Sequence, residues 1–122
     1  HGAKNFPFHK VPGTLDVELD DGTGDAAYLA LLEAHLPTVL REARPDLVVY
    51  LAGADPHEGD KLGRLRLTVE GLHRRDAVVV QLCREIGVPV CATMSGGYGR
   101  DVRDTVQVHL NTVRVLQSFA GR

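Results

Sequence analysis

The sequence predicts an α/β fold, a parallel sheet with helices packed on both of its faces. Two observations carry that expectation. Short β-branched apolar runs stand at 47–52 and 88–94, and stretches with helical apolar spacing alternate with them along the chain. A strand, helix, strand order calls for crossover connections, which lay helices over a sheet. Ligands of such sheets bind at the carboxyl ends of the strands, so the loops leaving those ends are where chemistry is expected.

Residues 1–14 mix Pro, Gly, His and Lys without periodicity and read as a loop, exposed or lining a site. Residues 15–19 (Leu-Asp-Val-Glu-Leu) alternate apolar and polar, as in a half-buried strand. Turn residues at 20–25 then lead into a helix over 25–43, with Tyr28, Leu29, Leu32, Leu36 and Leu40 at helical spacing. Pro37 lies inside it and is expected to kink or break it, because it has no amide to donate. The run 47–52 is continuous and short, as expected for a strand buried on both faces, and a polar loop over 53–65 follows. Thr68 and Glu70 open a second helix that runs to about Ile86, and Gly87 closes it. Residues 88–94 form the next buried strand, 95–99 a tight turn, and 101–119 a third helix.

The 122 residues carry a net charge of −2 and no run of like charges, so composition supports neither nucleic-acid nor membrane binding. The apolar runs are too short to span a bilayer. A cytoplasmic protein with a small-molecule or peptide partner is expected. Cys83 and Cys91 lack metal-clip spacing and are expected to be buried thiols. The chain opens on His1 and enters a loop at once, so it is expected to be a piece of a longer protein.

Two clusters hold the unusual chemistry, one in each loop that leaves a strand end. In Gly53-Ala54-Asp55-Pro56-His57-Glu58-Gly59-Asp60, carboxylates and an imidazole emerge from a buried strand, which suits a divalent cation. Asp55 is the ligand candidate, or else it caps its own loop by accepting nearby amides. Asp60 reads as a turn residue or a supporting carboxylate, and His57 and Glu58 as solvated loop residues. In Ser95-Gly96-Gly97-Tyr98-Gly99 two readings compete. The glycines either cradle a phosphate on free amides, in a nucleotide- or phosphate-binding module, or place the Tyr98 phenol where it donates to an oxyanion. The turn lacks the Lys-Ser/Thr of a P-loop.

Taken in order, Ala52-Gly53-Ala54-Asp55, Gly59-Asp60-Lys61-Leu62-Gly63, Leu67-Thr68, Gly71-Leu72, Arg75-Asp76 and Gly96-Gly97-Tyr98 resemble the C-terminal half of the histone deacetylase catalytic domain. The likeness runs over nearly all of residues 1–122 and is closest in form to the acetoin-utilisation-like and class IV branches. It implies a three-layer αβα fold of arginase type and a zinc-dependent hydrolase acting on acetyl-lysine or a small acetylated amine. On the matching positions it implies Asp55 as a metal ligand and Tyr98 as the tyrosine that polarises the amide carbonyl. It also implies Phe6 as an aromatic wall of the acyl tunnel, Leu62 as its floor, Gly96 and Gly97 as substrate-binding, and Asp60 as a carboxylate beside the site. The family's upstream Asp-x-His ligand pair and its His-His pair are both expected to be missing from these residues, and the histidines at 1, 9, 35, 57, 73 and 109 include no adjacent two. The zinc site is thus expected to need ligands upstream of His1, and these residues alone to be inactive. His35, His73 and His109 fall in helices and read as surface or packing residues. A further possibility is a noncatalytic pairing domain whose other half is a partner chain.

Overall fold

The structure is a computed structural model that describes residues 1–120. Among these the order is α1 (Asp25–Ala43), β1 (Val48–Gly53), α2 (Val69–Glu85), β2 (Val90–Ser95) and α3 (Val102–Phe119). The two strands pair in parallel, from Val48 with Val90 to Gly53 with Ser95, and α2 is the crossover that parallel pairing requires. Because the ladder ends level, the chain leaves both strands at the same height, with Ala54 beside Gly96.

Local chemistry sets the helix ends. Thr68 caps α2 by accepting the Gly71 amide at 2.9 Å, and Asp101 caps α3 by accepting the Arg103 amide at 2.9 Å. Asp25, in the first turn of α1, accepts both the Thr68 amide and its hydroxyl, at 2.9 and 2.6 Å, which pins the start of α1 to the start of α2. Pro37 does not break α1, which runs through it. Leu36 and Leu40 on either side of it pack with Val79 and Cys83, so tertiary packing outweighs the lost hydrogen bond.

Val48, Tyr50 and Val90 pack against residues of α1 and α2, and α3 packs on α2. The described residues thus supply the sheet and the helices of one face. On the other face Val49 and Leu51 are 60% and 69% exposed, so the strand expected to be buried on both faces is half-covered here. Cys91 pairs in register with Val49 and is exposed, which corrects the expectation of two buried thiols. Cys83 is buried, and burial pushes its thiol pKa up. The strand expected over 15–19 is not formed. Only Leu19 pairs, in a single bridge with Gly2, although Leu19 and Val17 do reach the core of Ala54, Leu65, Leu67, Leu72 and Val108.

Between sheet and helices lies a buried polar network. The Asp76 carboxylate accepts the Tyr50 hydroxyl at 2.5 Å, the Thr112 hydroxyl at 2.6 Å and the Arg75 Nε at 2.9 Å. Burial raises the pKa of Tyr50 well above the ordinary phenol value, and burial raises that of Tyr28 as well. Both phenols then keep their protons in the folded protein at a pH where the unfolded chain releases them. The unfolded state binds fewer protons there, so stability is expected to fall as pH rises past about 10, by up to about 1.4 kcal/mol per pH unit for each phenol. Urea unfolding across the alkaline range measures this, and Tyr50→Phe should make the decline shallower. An equally steep decline in that variant would rule Tyr50 out as a source.

Candidate functional site

β1 and β2 deliver the two clusters to one end of the sheet. Past Gly53 the Ala54 amide donates to the Ser95 carbonyl at 3.2 Å, so the pairing holds one residue beyond the ladder. The chain then turns, with the His57 amide donating to the Ala54 carbonyl at 3.1 Å, and Asp55 sits at the head of that turn. A Cβ on Gly53 would come within 2.5 Å of the Asp55 Oδ1, and a Cβ on Gly96 would collide with the same oxygen. The Asp55 carboxylate therefore occupies a cradle that exists because both neighbours are glycine. Gly96 and Gly97 also take φ of 41° and 129°, a backbone region that side chains rarely tolerate.

The two carboxylates of the first cluster do opposite things. Asp60 is buried, at 6% exposure, and joins the loops. Its Oδ1 accepts the Leu62 and Gly63 amides at 2.8 and 2.7 Å, and its Oδ2 accepts the Tyr98 amide at 2.6 Å. The Lys61 amide donates to the Tyr98 carbonyl at 3.0 Å and the Arg100 amide to the Gly59 carbonyl at 2.9 Å, so the loop over 53–65 is tied to the Gly96-Gly97-Tyr98 turn along its backbone. Asp55, by contrast, accepts no hydrogen bond among the described residues, which removes the alternative that it caps its own loop. Its lone pairs are free for a cation.

Asp55, Phe6, Tyr28 and Pro56 line one cleft of about 360 Å³. Phe6 reaches it from the N-terminal loop, whose shape is set by the Lys10 ammonium donating to the Ala3, Asn5 and Pro7 carbonyls at 2.9, 2.9 and 3.2 Å. Leu62, Gly97 and Tyr98 line a neighbouring hollow of about 310 Å³, with Val102 and Thr105 of α3. Tyr98 is 64% exposed, so it is not a core residue. The structure thus brings Asp55 and Phe6 together, and Leu62 and Tyr98 together, with Gly96 between the two pairs. Tyr28, which the sequence showed only as one of the residues at helical spacing in α1, also lines the cleft. Its spacing on α1 fits an apolar face, and only its phenol hinted at more.

His57 is buried at 8% rather than solvated. Asp55-Pro56-His57 has the spacing of an Asp-x-His pair, but the His57 Nδ1 accepts the Gly59 amide at 3.2 Å and its backbone bridges to Leu67. Among the described residues no group of three His, Cys, Asp or Glu side chains shares a point at which a metal could sit. The glycine-walled, unbonded Asp55 fits one ligand position of a divalent cation, and the remaining positions are not filled from these residues. The turn at Gly96-Gly97 suits a phosphate poorly. Asp55 stands against one side of it, and the Tyr98 amide is already bonded to Asp60. Among the described residues no helix is long and apolar enough to cross a membrane.

The described residues form a parallel α/β unit with an unbonded carboxylate and an exposed phenol at adjacent strand ends. The sequence profile of the histone deacetylase domain matches residues 7–113, and the chain belongs to the histone deacetylase family. It is 42% identical over 109 residues to an uncharacterized protein of Picosynechococcus sp., covering 89% of this chain and 36% of that protein. It is 36% identical over 95 residues to histone deacetylase 2 of Arabidopsis thaliana, covering 75% of this chain and 24% of that enzyme. Among solved structures, the HD domain of HDA15 superposes with a TM-score of 0.67 at 27% identity, over 80% of this chain and 27% of that one. The acetylpolyamine aminohydrolase of Burkholderia pseudomallei superposes with a TM-score of 0.71 at 19% identity, over 85% of this chain and 28% of that one, a likeness of fold. The chain therefore spans about a third or less of the length of these relatives.

Proposed function

We propose that these residues form the C-terminal part of a zinc-dependent amide hydrolase that removes the acetyl group from acetyl-lysine or a small acetylated amine. Asp55 is one zinc ligand, and the others come from outside residues 1–122. The observation that carries the reading is the Asp55 carboxylate, unbonded in its glycine cradle, one strand over from the turn that presents Tyr98. The names of the relatives, histone deacetylase and acetylpolyamine aminohydrolase, support the acetylated-amine substrate class.

Zinc, when bound, supplies Lewis acidity at the acetamide carbonyl and a water of lowered pKa. The chain's own residues supply position and a proton donor. Phe6 forms an apolar wall beside Asp55, and Leu62 forms the floor below Tyr98. The Tyr98 hydroxyl donates to the oxyanion that develops as the amide carbonyl is attacked, and Asp60 holds the Tyr98 backbone so that the phenol need not search for its position. Gly96 and Gly97 let the backbone approach without a side chain in the way.

Tyr98→Phe in the zinc-loaded protein tests the role of the phenol. Turnover of an acetyl-lysine reporter is expected to drop on the order of 10²–10³-fold, the usual effect of one lost oxyanion donor, with zinc content unchanged. Full turnover in that variant would end this mechanism.

A further inference from the structure

We propose that Arg75 and Asp76 form a buried brace on α2 that fixes the end of β1 from which Asp55 projects, so that Arg75 is a positioning residue for that carboxylate. The inference rests on the reading of Asp55 as a metal ligand. The Arg75 and Asp76 side chains are 4% and 1% exposed. A buried ion pair of this kind stabilises a fold little or not at all relative to apolar residues of the same volume, so stability alone gives a weak reason for it. Its geometry gives a better one. Arg75 does not spend its whole guanidinium on Asp76. Nε and Nη2 lie at 2.9 and 2.8 Å from the Asp76 Oδ1, while Nη1 reaches away to donate to the Gly53 carbonyl at 2.7 Å.

Gly53 is the last paired residue of β1 and the one whose α-carbon backs onto the Asp55 Oδ1. Rotating the Gly53 peptide would move the carboxylate's cradle, and Arg75 holds that peptide by its oxygen. The guanidinium is itself held. It lies 5.8 Å from the centre of the Tyr50 ring, and Asp76 is fixed by the Tyr50 and Thr112 hydroxyls. Side chains of β1 and α3 thereby back the α2 pair whose guanidinium holds the Gly53 carbonyl. The bond satisfies a buried strand-end carbonyl, and it does so at the peptide that leads directly into Ala54 and Asp55. Lysine could keep the charge but, lacking the fork, could not hold Asp76 and the Gly53 carbonyl in the same geometry.

The test compares Arg75→Lys with Val79→Ala, a core truncation elsewhere on α2, in the intact protein well below its unfolding temperature. Zinc affinity is read by competition with a chromogenic chelator, and order at the strand end by hydrogen exchange of the Ala54 amide. The brace predicts a loss of zinc affinity of about 10–100-fold in Arg75→Lys, the usual effect of disturbing a ligand's support, and faster exchange at Ala54. Val79→Ala should keep both near the wild-type values even though it too is destabilised. Unchanged affinity and exchange in Arg75→Lys would overturn the proposal, as would equal losses in Val79→Ala. If Arg75→Lys does not fold, Tyr50→Phe removes a single hydroxyl from Asp76 and should show a several-fold loss by the same measures. An Asp55→Ala protein that still holds zinc would sink the metal reading instead, and the Ala54 exchange would then decide the brace by itself.

Discussion

Asp55→Ala is expected to abolish zinc binding and turnover together while leaving the fold intact. The dissociation of function from stability follows from the bonding of the two loop carboxylates. Asp55 accepts no hydrogen bond among the described residues, so its removal leaves no amide without a partner. The turn that carries it is held by backbone, through the His57 amide and the Ala54 carbonyl at 3.1 Å. A substitution of that kind should shift stability by no more than about 0.5 kcal/mol. A three-ligand zinc site that loses one ligand has too few donors to hold the ion in a catalytic geometry. Metal content, turnover of an acetylated amine and thermal unfolding are the three measurements. Zinc retained at full occupancy with normal turnover would show that Asp55 is not a ligand, and a collapse of the unfolding temperature would show that its carboxylate supports the loop after all.

How much of this could be read before any coordinates depends on how local each signal is. β1, β2, α2 and α3 were legible because a β-branched run or a helical apolar stripe reports on its own few residues. The placement of Asp55 and Tyr98 followed from topology, since parallel strands of equal length must release their loops at one end. The errors have a common origin in contacts that sequence spacing does not encode. Leu15 to Leu19 alternates like a strand, but only Leu19 finds a bridging partner, so the pattern reflects burial of Val17 and Leu19 without a ladder. Pro37 was expected to kink α1 or mark a break, and no break occurs, because Leu32, Leu36 and Leu40 hold the helix in the core on both sides of it. Cys91 sits in an apolar run on the open face of the strand pair, where the described residues offer no cover. The bond from Arg75 to the Gly53 carbonyl joins residues 22 apart and ends on a backbone oxygen, for which no residue type leaves a mark.

Asp60→Ala should have the largest effect on stability, because Asp60 is the point where the two strand-end loops become one structure. Its carboxylate takes three backbone amides, two from its own loop and one from Tyr98 in the other, at 2.6 to 2.8 Å. Each donor left unsatisfied away from water costs on the order of 1–3 kcal/mol, and the bonds to a charged acceptor lie at the strong end, so a loss of about 3 kcal/mol or more is expected. Asp60→Asn separates folding from function. One oxygen remains and can keep the Leu62 and Gly63 amides, but the amide nitrogen then faces the Tyr98 N–H, donor against donor. That variant should retain most of its stability and its KM while kcat falls, since what it loses is the fixed position of the phenol during attack on the carbonyl. Thermal unfolding and a kcat against KM comparison of the two variants measure the difference. An Asn protein with undiminished kcat would mean that the Tyr98 turn keeps its shape without the carboxylate, leaving the backbone bonds of Lys61 and Arg100 to hold it.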